Sequence, residues 1–265
     1  MKRWIPFMKA EPVVAVVRLQ GTIAQSGRGV LNDQALRPIL EKAFRKGKPA
    51  AVALELNSPG GSPVQSSLIA ARIRRLSDET GVPVYAFVED VAASGGYWIA
   101  AAADEIYADE SSIIGSIGVI SAGFGAHVFL ARQGVERRVY TAGRSKSMLD
   151  PFQPEKEEDV DRLRKLLAQL HETFISHVQT RRKGKLADNP DLFTGEVWLG
   201  SSAISVGLAD HIGHLAPVMK QRFGKKVRFR RYEARRPILQ RFGAQMAQDA
   251  LITIEERAAY ARFGL

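Results

Sequence analysis

The chain is expected to fold as an α/β protein with a mostly parallel sheet flanked by helices, and two patterns in its 265 residues predict this. Short apolar runs rich in β-branched residues alternate with stretches of helical spacing, the signature of parallel strands joined by crossover helices. A glycine-rich turn also stands twice between a strand-like and a helix-like run, at Asn57-Ser-Pro-Gly-Gly-Ser62 and at Ala93-Ser-Gly-Gly-Tyr97.

The elements follow in order. Val13 to Leu19, Ala51 to Leu56 and Val82 to Val88 read as buried strands, because each is a continuous apolar run of strand length. Asn32 to Arg45 and Pro63 to Thr80 read as helices, the second opening with a proline, which suits a first helical position. Tyr97 to Ala103 continues as a helix after the second turn. The clearest amphipathic helix spans Pro154 to Arg182, where Val160, Leu163, Leu167, Leu170, Phe174 and Val178 recur at three- and four-residue steps. No internal repeat is visible.

Composition is ordinary for a globular domain, with 45% hydrophobic and 25% charged residues, and the length allows a large core. The absence of cysteine excludes thiol catalysis and disulfides and fits a cytoplasmic setting. Residues 220–265 carry 12 Lys or Arg against 4 Asp or Glu, so +8 of the net +10 lies there. Phe223, Phe229, Tyr232 and Phe242 are interleaved with that charge. Peripheral contact with an anionic membrane is one expectation for it, a solvated extension another, and no signature of specific nucleic-acid binding accompanies it. The expected division is a short basic segment at 1–10, a single-copy domain at 11–219 and a basic extension at 220–265. Residues 1–8 contain no apolar run of signal length. The 21 uncharged residues from Ser111 to Ala131 have the length of a membrane span, but their many Gly and Ser residues argue for a soluble core.

The chemistry starts from Ser94. A serine hydroxyl is a weak nucleophile at neutral pH and needs a base to take its proton as it attacks a carbonyl. The five histidines, His127, His171, His177, His211 and His214, read as structural or surface residues. Without cysteine or a third ligand motif, the pair His211 and His214 is not expected to hold a metal. Lys146 lies in Gly143-Arg-Ser-Lys-Ser147 and, on its residues alone, reads as a solvated loop lysine. A lysine acts as a base only when its pKa falls from about 10.4 to roughly 7 or 8, which burial can achieve. Acyl transfer also needs donors for the developing oxyanion, and glycine amides suit this because no side chain blocks approach. Pro59-Gly60-Gly61 and Gly95 are the candidates.

These motifs stand in a familiar order. Val17-Arg-Leu-Gln-Gly-Thr-Ile23, Asn57-Ser-Pro-Gly-Gly-Ser62, Ala93-Ser-Gly-Gly-Tyr97, Ile114-Gly-Ser-Ile-Gly-Val119, Lys146, Trp198-Leu-Gly-Ser-Ser-Ala203 and Gly207-Leu-Ala-Asp210 together resemble the protease IV or signal peptide peptidase A family of SppA and SohB types. That family is a branch of the ClpP/crotonase superfamily. The resemblance implies a ClpP/crotonase-like fold of repeated β-β-α units and a serine endopeptidase with a Ser-Lys dyad. It implies Ser94 as nucleophile, Lys146 as general base, Ser116 as the residue orienting the lysine, and Gly61 and Gly95 as the oxyanion hole. No cofactor is expected. The peptide is expected to lie extended along Gly60, Gly61, Ser62, Ile117, Gly118 and Val119. Similar single-copy enzymes assemble into rings or domes in which the lysine comes from an adjacent protomer, so Ser94 and Lys146 are not expected to touch within one chain. The implied substrates are signal-peptide remnants or other hydrophobic segments, and the implied location is the cytoplasm or the periphery of the inner membrane. Two rival readings are a crotonase-type acyl-CoA enzyme and a non-catalytic membrane-associated scaffold. The first would have little use for Ser94 with Lys146, and the second would more often have lost one of them.

Overall fold

Strand, turn and helix alternate along the chain as the apolar runs require. A computed structural model describes residues 11–27, 29–143, 145–233 and 257–265. The elements are β1 (Val13–Gln20), α1 (Asp33–Arg45), β2 (Ala51–Ser58), α2 (Pro63–Thr80), β3 (Val84–Ala93), α3 (Gly95–Ala100), β4 (Glu105–Ala108), β5 (Ile113–Gly115), α4 (His127–Arg132), α5 (Glu157–Arg181), β6 (Val197–Leu199), α6 (Gly200–Ser205), β7 (His211–Ile212), α7 (Leu215–Phe223) and β8 (Arg228–Tyr232).

Local chemistry sets the helix ends. The Asn32 side chain accepts from the Ala35 N–H at 2.8 Å and caps α1. Helix α2 starts at Pro63 after the Ser62 cap and stops at Gly81, whose φ of 67° closes it in the left-handed region.

The main sheet runs β6-β5-β3-β2-β1-β8, parallel throughout except at β5–β6. Strand β3 forks. Its residues 85–88 pair with β4, which leads to β7, while residues 91–93 pair with β5. The half-exposed Glu89 and exposed Asp90 occupy the fork, beside the register shift between Leu56 and Ser58.

Both faces of the sheet are buried, which explains strands that read as continuous apolar runs. Ala15, Val17, Leu19, Leu54 and Leu56 point into the larger core with α1, α2 and α3, whereas Val14, Val16, Ala53, Tyr85 and Phe87 pack on the other face against Met219 of α7. Farther along that second face the strands carry charge. Glu55 is 8% exposed and takes both guanidinium nitrogens of Arg231, at 2.6 and 2.9 Å, while Arg18 reaches Glu89 at 3.2 Å.

The basic extension expected from residue 220 begins inside the folded unit. The boundary falls within α7, and β8 is the edge strand beside β1. Arg222 anchors α7 with two bonds to Glu105 at 2.8 and 2.6 Å. The charge density hides this strand from sequence reading, because an edge strand tolerates charge on its open side and Arg231 finds Glu55 across the sheet. The segments 1–10 and 234–256 lie outside the described residues.

Of the long amphipathic helix, only Phe174 and Val178 among the expected stripe are fully buried. Residues 111–131 form β5, an irregular stretch and the start of α4, and no described helix is long and apolar enough to cross a membrane.

Candidate active site

Three parallel strands that are neighbours in the sheet, β2, β3 and β5, end at one edge, and a crevice opens where their carboxyl ends meet the following turns. The turn after β2 brings Gly60 and Gly61, the turn after β3 brings Ser94, and the turn after β5 brings Ser116. The cleft has a volume of about 420 Å³, and Ser94, Gly61, Gly95, Ser116, Gly118 and Val119 all line it.

Ser94 has a φ of 51° and ψ of −122°, a conformation that L residues rarely adopt and that places its side chain at a sharp strand-to-helix corner. Backbone bonds hold the corner on both sides. The Ser94 N–H donates to Gly115 O at 2.8 Å, and its carbonyl accepts from the Trp98 N–H at 3.0 Å. The hydroxyl does not cap α3 and makes no hydrogen bond among the described residues, which leaves it available to a substrate.

The two candidate oxyanion donors converge beside it. A Cβ on Gly95 would stand 3.4 Å from the Gly61 amide nitrogen, so the two turns abut, and neither amide has an acceptor among the described residues. Gly61 has a φ of 140°, and a Cβ there would collide with the Ile23 carbonyl. That carbonyl accepts from the Ser62 N–H at 2.7 Å, while Ile23 N–H donates to Gly60 O at 2.8 Å. Gly61→Ala is therefore expected to push the turn off Ile23 and misdirect its amide. The loss in kcat should be about 10²- to 10³-fold, measured on a fluorogenic peptide.

Ser116 also has a positive φ, 51°, and its N–H donates to Glu196 O at 2.7 Å. Ile117 is fully buried, so this residue offers a substrate only its backbone. Its carbonyl is already engaged by His171 Nε2 at 3.0 Å. Gly60 and Ser62 flank the cleft without lining it. Gly60 packs against the Ser94 corner, and Ser62 caps α2.

Lys146 stands apart. It is exposed, it does not line the cleft, and its segment belongs to an arm that closes where Ala126 N–H donates to Pro151 O at 2.6 Å. The arm exposes Tyr140 at 91% along with Phe129, and Phe124 directly before it is 94% exposed.

Several cleft residues escaped sequence reading. Trp98, Leu170, His171 and Phe174 form one wall, with Trp98 stacked on Phe174 at 4.7 Å between ring centroids and on His177 at 4.9 Å. Burial holds the His177 imidazole below its ordinary pKa, which keeps it neutral while Nε2–H donates to Trp98 O at 3.0 Å. The helical stripe contained Leu170 and Phe174 but gave no sign that they face a cleft. Arg262 and Phe263 line it as well. His214 pairs with Asp109 at 2.9 Å, and no group of metal-ligating side chains occurs among the described residues.

Residues 77–226, more than half of the chain and including Ser94, Ser116 and Lys146, match the model of peptidase family S49. The chain belongs to peptidase family S49. It is 33% identical over 212 residues to protease 4 of Haemophilus influenzae, covering 76% of this chain and 32% of the relative. It is 29% identical to the chloroplastic serine protease SPPA of Arabidopsis thaliana, covering 76% of this chain and 30% of that protein. A protein named Na(+)/H(+) antiporter NhaA, from Brucella melitensis, is 48% identical across the whole chain, which spans 39% of it. The S49 chain thus spans well under two thirds of these relatives. In fold it is similar to the 1510-N membrane-bound stomatin-specific protease, with a TM-score of 0.54, 17% identity, and coverage of 84% of this chain and 98% of that one. A mutant of the same protease in complex with a substrate peptide gives a TM-score of 0.53 at 16% identity, covering 93% of this chain and 99% of that one. These likenesses bear out the ClpP-like α/β fold.

Proposed function

We propose that this chain hydrolyses peptide bonds through an acyl-enzyme on Ser94, with Lys146 of an adjacent protomer as general base. The observation that carries the reading is the Ser94 corner, a strained serine with an unengaged hydroxyl beside two unengaged glycine amides. The hydroxyl would attack the scissile carbonyl while the Gly61 and Gly95 amides receive the oxyanion. The lysine would take the serine proton, deliver it to the leaving amine and then activate water for deacylation. Ser116, at the cleft edge, would orient the lysine. An extended peptide would run along Gly60 to Ser62 and Ile117 to Val119, with hydrophobic side chains against Trp98 and Phe174. Signal-peptide remnants and other hydrophobic segments fit such a wall.

The position of Lys146 supports its supply from a neighbour. Lys146 lies outside the cleft of its own chain, on an arm whose exposed Phe129 and Tyr140, with the adjacent Phe124, offer the kind of apolar surface that marks a contact between proteins. Covering that arm in a ring or dome would withdraw the lysine from water, the condition for a neutral base. Peripheral contact with an anionic membrane through Lys225, Lys226, Arg228 and Arg230 belongs to the same proposal. Ion transport is not carried over from the Brucella relative, because the family match within this chain is to a peptidase.

Mixing separately inactive Ser94→Ala and Lys146→Ala proteins tests the split site. Subunits exchanged by dissociation and reassembly should recover about a quarter of wild-type activity, since random neighbours unite an intact serine with an intact lysine at one site in four. No recovery in a co-assembled mixture would place both residues of the dyad in one chain, or place the base elsewhere.

A further inference from the structure

Residues 257–265 return to the cleft after a stretch outside the described residues. Residues 257–261 are helical, and the chain then turns back on itself. Phe263 N–H donates to Tyr260 O at 2.9 Å, Gly264 N–H to Ala261 O at 3.1 Å and Leu265 N–H to Tyr260 O at 3.3 Å. From this turn the Tyr260 hydroxyl donates to Asn57 O at 2.9 Å, at the end of β2 directly before the Ser58-Pro59-Gly60-Gly61 turn. Arg262 and the half-buried Phe263 line the cleft together with Ser94, Gly61 and Gly95.

We propose that the segment Arg257–Leu265 is an intramolecular ligand of the substrate cleft that restrains peptide access to Ser94, a proposal that rests on the peptidase reading of that cleft. The partner this surface fits is a compact turn carrying Tyr260, Arg262 and Phe263. A substrate strand must bring free N–H and C=O groups to pair with the cleft backbone. This segment spends its amides of residues 263–265 on internal bonds, so it presents side chains to the cleft but no extended strand for cleavage. It therefore occupies space beside the nucleophile without being positioned as a substrate. The hold is light. Asn57 O already accepts from Gly21 N–H at 3.0 Å, so Tyr260 adds a second bond to a carbonyl that is satisfied without it. A good peptide substrate can displace such a strap.

The test compares the full chain with the full-length variant Tyr260→Phe, Arg262→Ser, Phe263→Ser. Releasing the Tyr260 bond to Asn57 and the partly buried Phe263 ring should raise kcat/KM for a short fluorogenic peptide about tenfold. A synthetic nonapeptide of residues 257–265, labelled with fluorescein, should bind the variant about tenfold more tightly than wild type by fluorescence anisotropy and should inhibit the variant in trans. Unchanged or reduced kcat/KM in the variant, with no gain in nonapeptide binding, overturns the proposal. If neither protein cleaves any peptide, the peptidase reading fails, and the anisotropy comparison still decides whether the segment is a ligand of the cleft.

Discussion

Ser94→Ala is expected to lower kcat for peptide hydrolysis about 10⁶-fold, with Lys146→Ala costing a similar amount. In the proposed mechanism the serine forms the bond to the acyl group and the lysine moves its proton, so either loss would remove the covalent route entirely. The double variant should be no worse than either single one, because the two act as a unit. What survives should be the acceleration that binding and the Gly61 and Gly95 amides provide, roughly 10³-fold over water. The Ser94 side chain makes no hydrogen bond among the described residues, so its replacement leaves the fold intact and the loss reads as chemistry. The control is an unchanged unfolding midpoint and elution volume. A Ser94→Ala protein that retains a tenth of wild-type kcat would exclude this serine as the nucleophile.

Arg182→Met is expected to cost about 3 kcal/mol of stability, one of the larger single-residue losses in the chain. The Arg182 side chain is only 2% exposed and spans two bonds to Asp210 at 2.7 and 3.1 Å and one to Gly207 O at 2.8 Å. Asp210 also accepts from Ile106 N–H at 2.8 Å and from Lys185 at 2.7 Å, while Tyr97 O–H donates to Leu208 O at 3.0 Å. This clamp ties the end of α5, the 207–210 turn and β4 to the helix that follows Ser94. Removing the guanidinium strands a carboxylate with half its partners, and a loss of this size should lower Tm by about 10 °C in a protein of this length.

The pH dependence has a definite sign. Burial alone would raise the Asp210 carboxyl, but the hydrogen bonds from Arg182 and Lys185 outweigh it and hold the group below its ordinary range. A carboxyl whose pKa is lower folded than unfolded stabilises the fold above its unfolded value, near 3.9, and loses that contribution as pH falls through the folded value. Denaturant titrations should therefore show a constant gap between wild type and Arg182→Met from about pH 5 to 8, shrinking below about pH 4. A gap that holds its size at pH 3 would mean that the arginine stabilises by packing alone.

The legible part of this molecule is the part with short-range causes. The first three strands, α1, α2 and the helix after Ser94 were readable because caps, glycine turns and apolar spacing act within a few residues. Gly207-Leu-Ala-Asp210 was visible only as a motif, since its partner Arg182 lies in another element. Strand β8 looked like a basic tail, because the acid that neutralises Arg231 lies 176 positions away at Glu55. The cleft wall of Trp98 and Phe174 was hidden for the same reason. A helical stripe says that a face is apolar, not what it meets.

Residue order thus determined the turn conformations and the helix ends through local sterics and spacing, and its order of motifs carried the resemblance to the peptidase family. The tertiary structure alone decided that the ends of β2, β3 and β5 meet at one edge, that Lys146 stands outside its own cleft, and that Tyr260 reaches Asn57 across 203 positions. Each of these depends on strand order and register. Those are settled by which faces can be buried together, a property of the whole sheet and of no single segment.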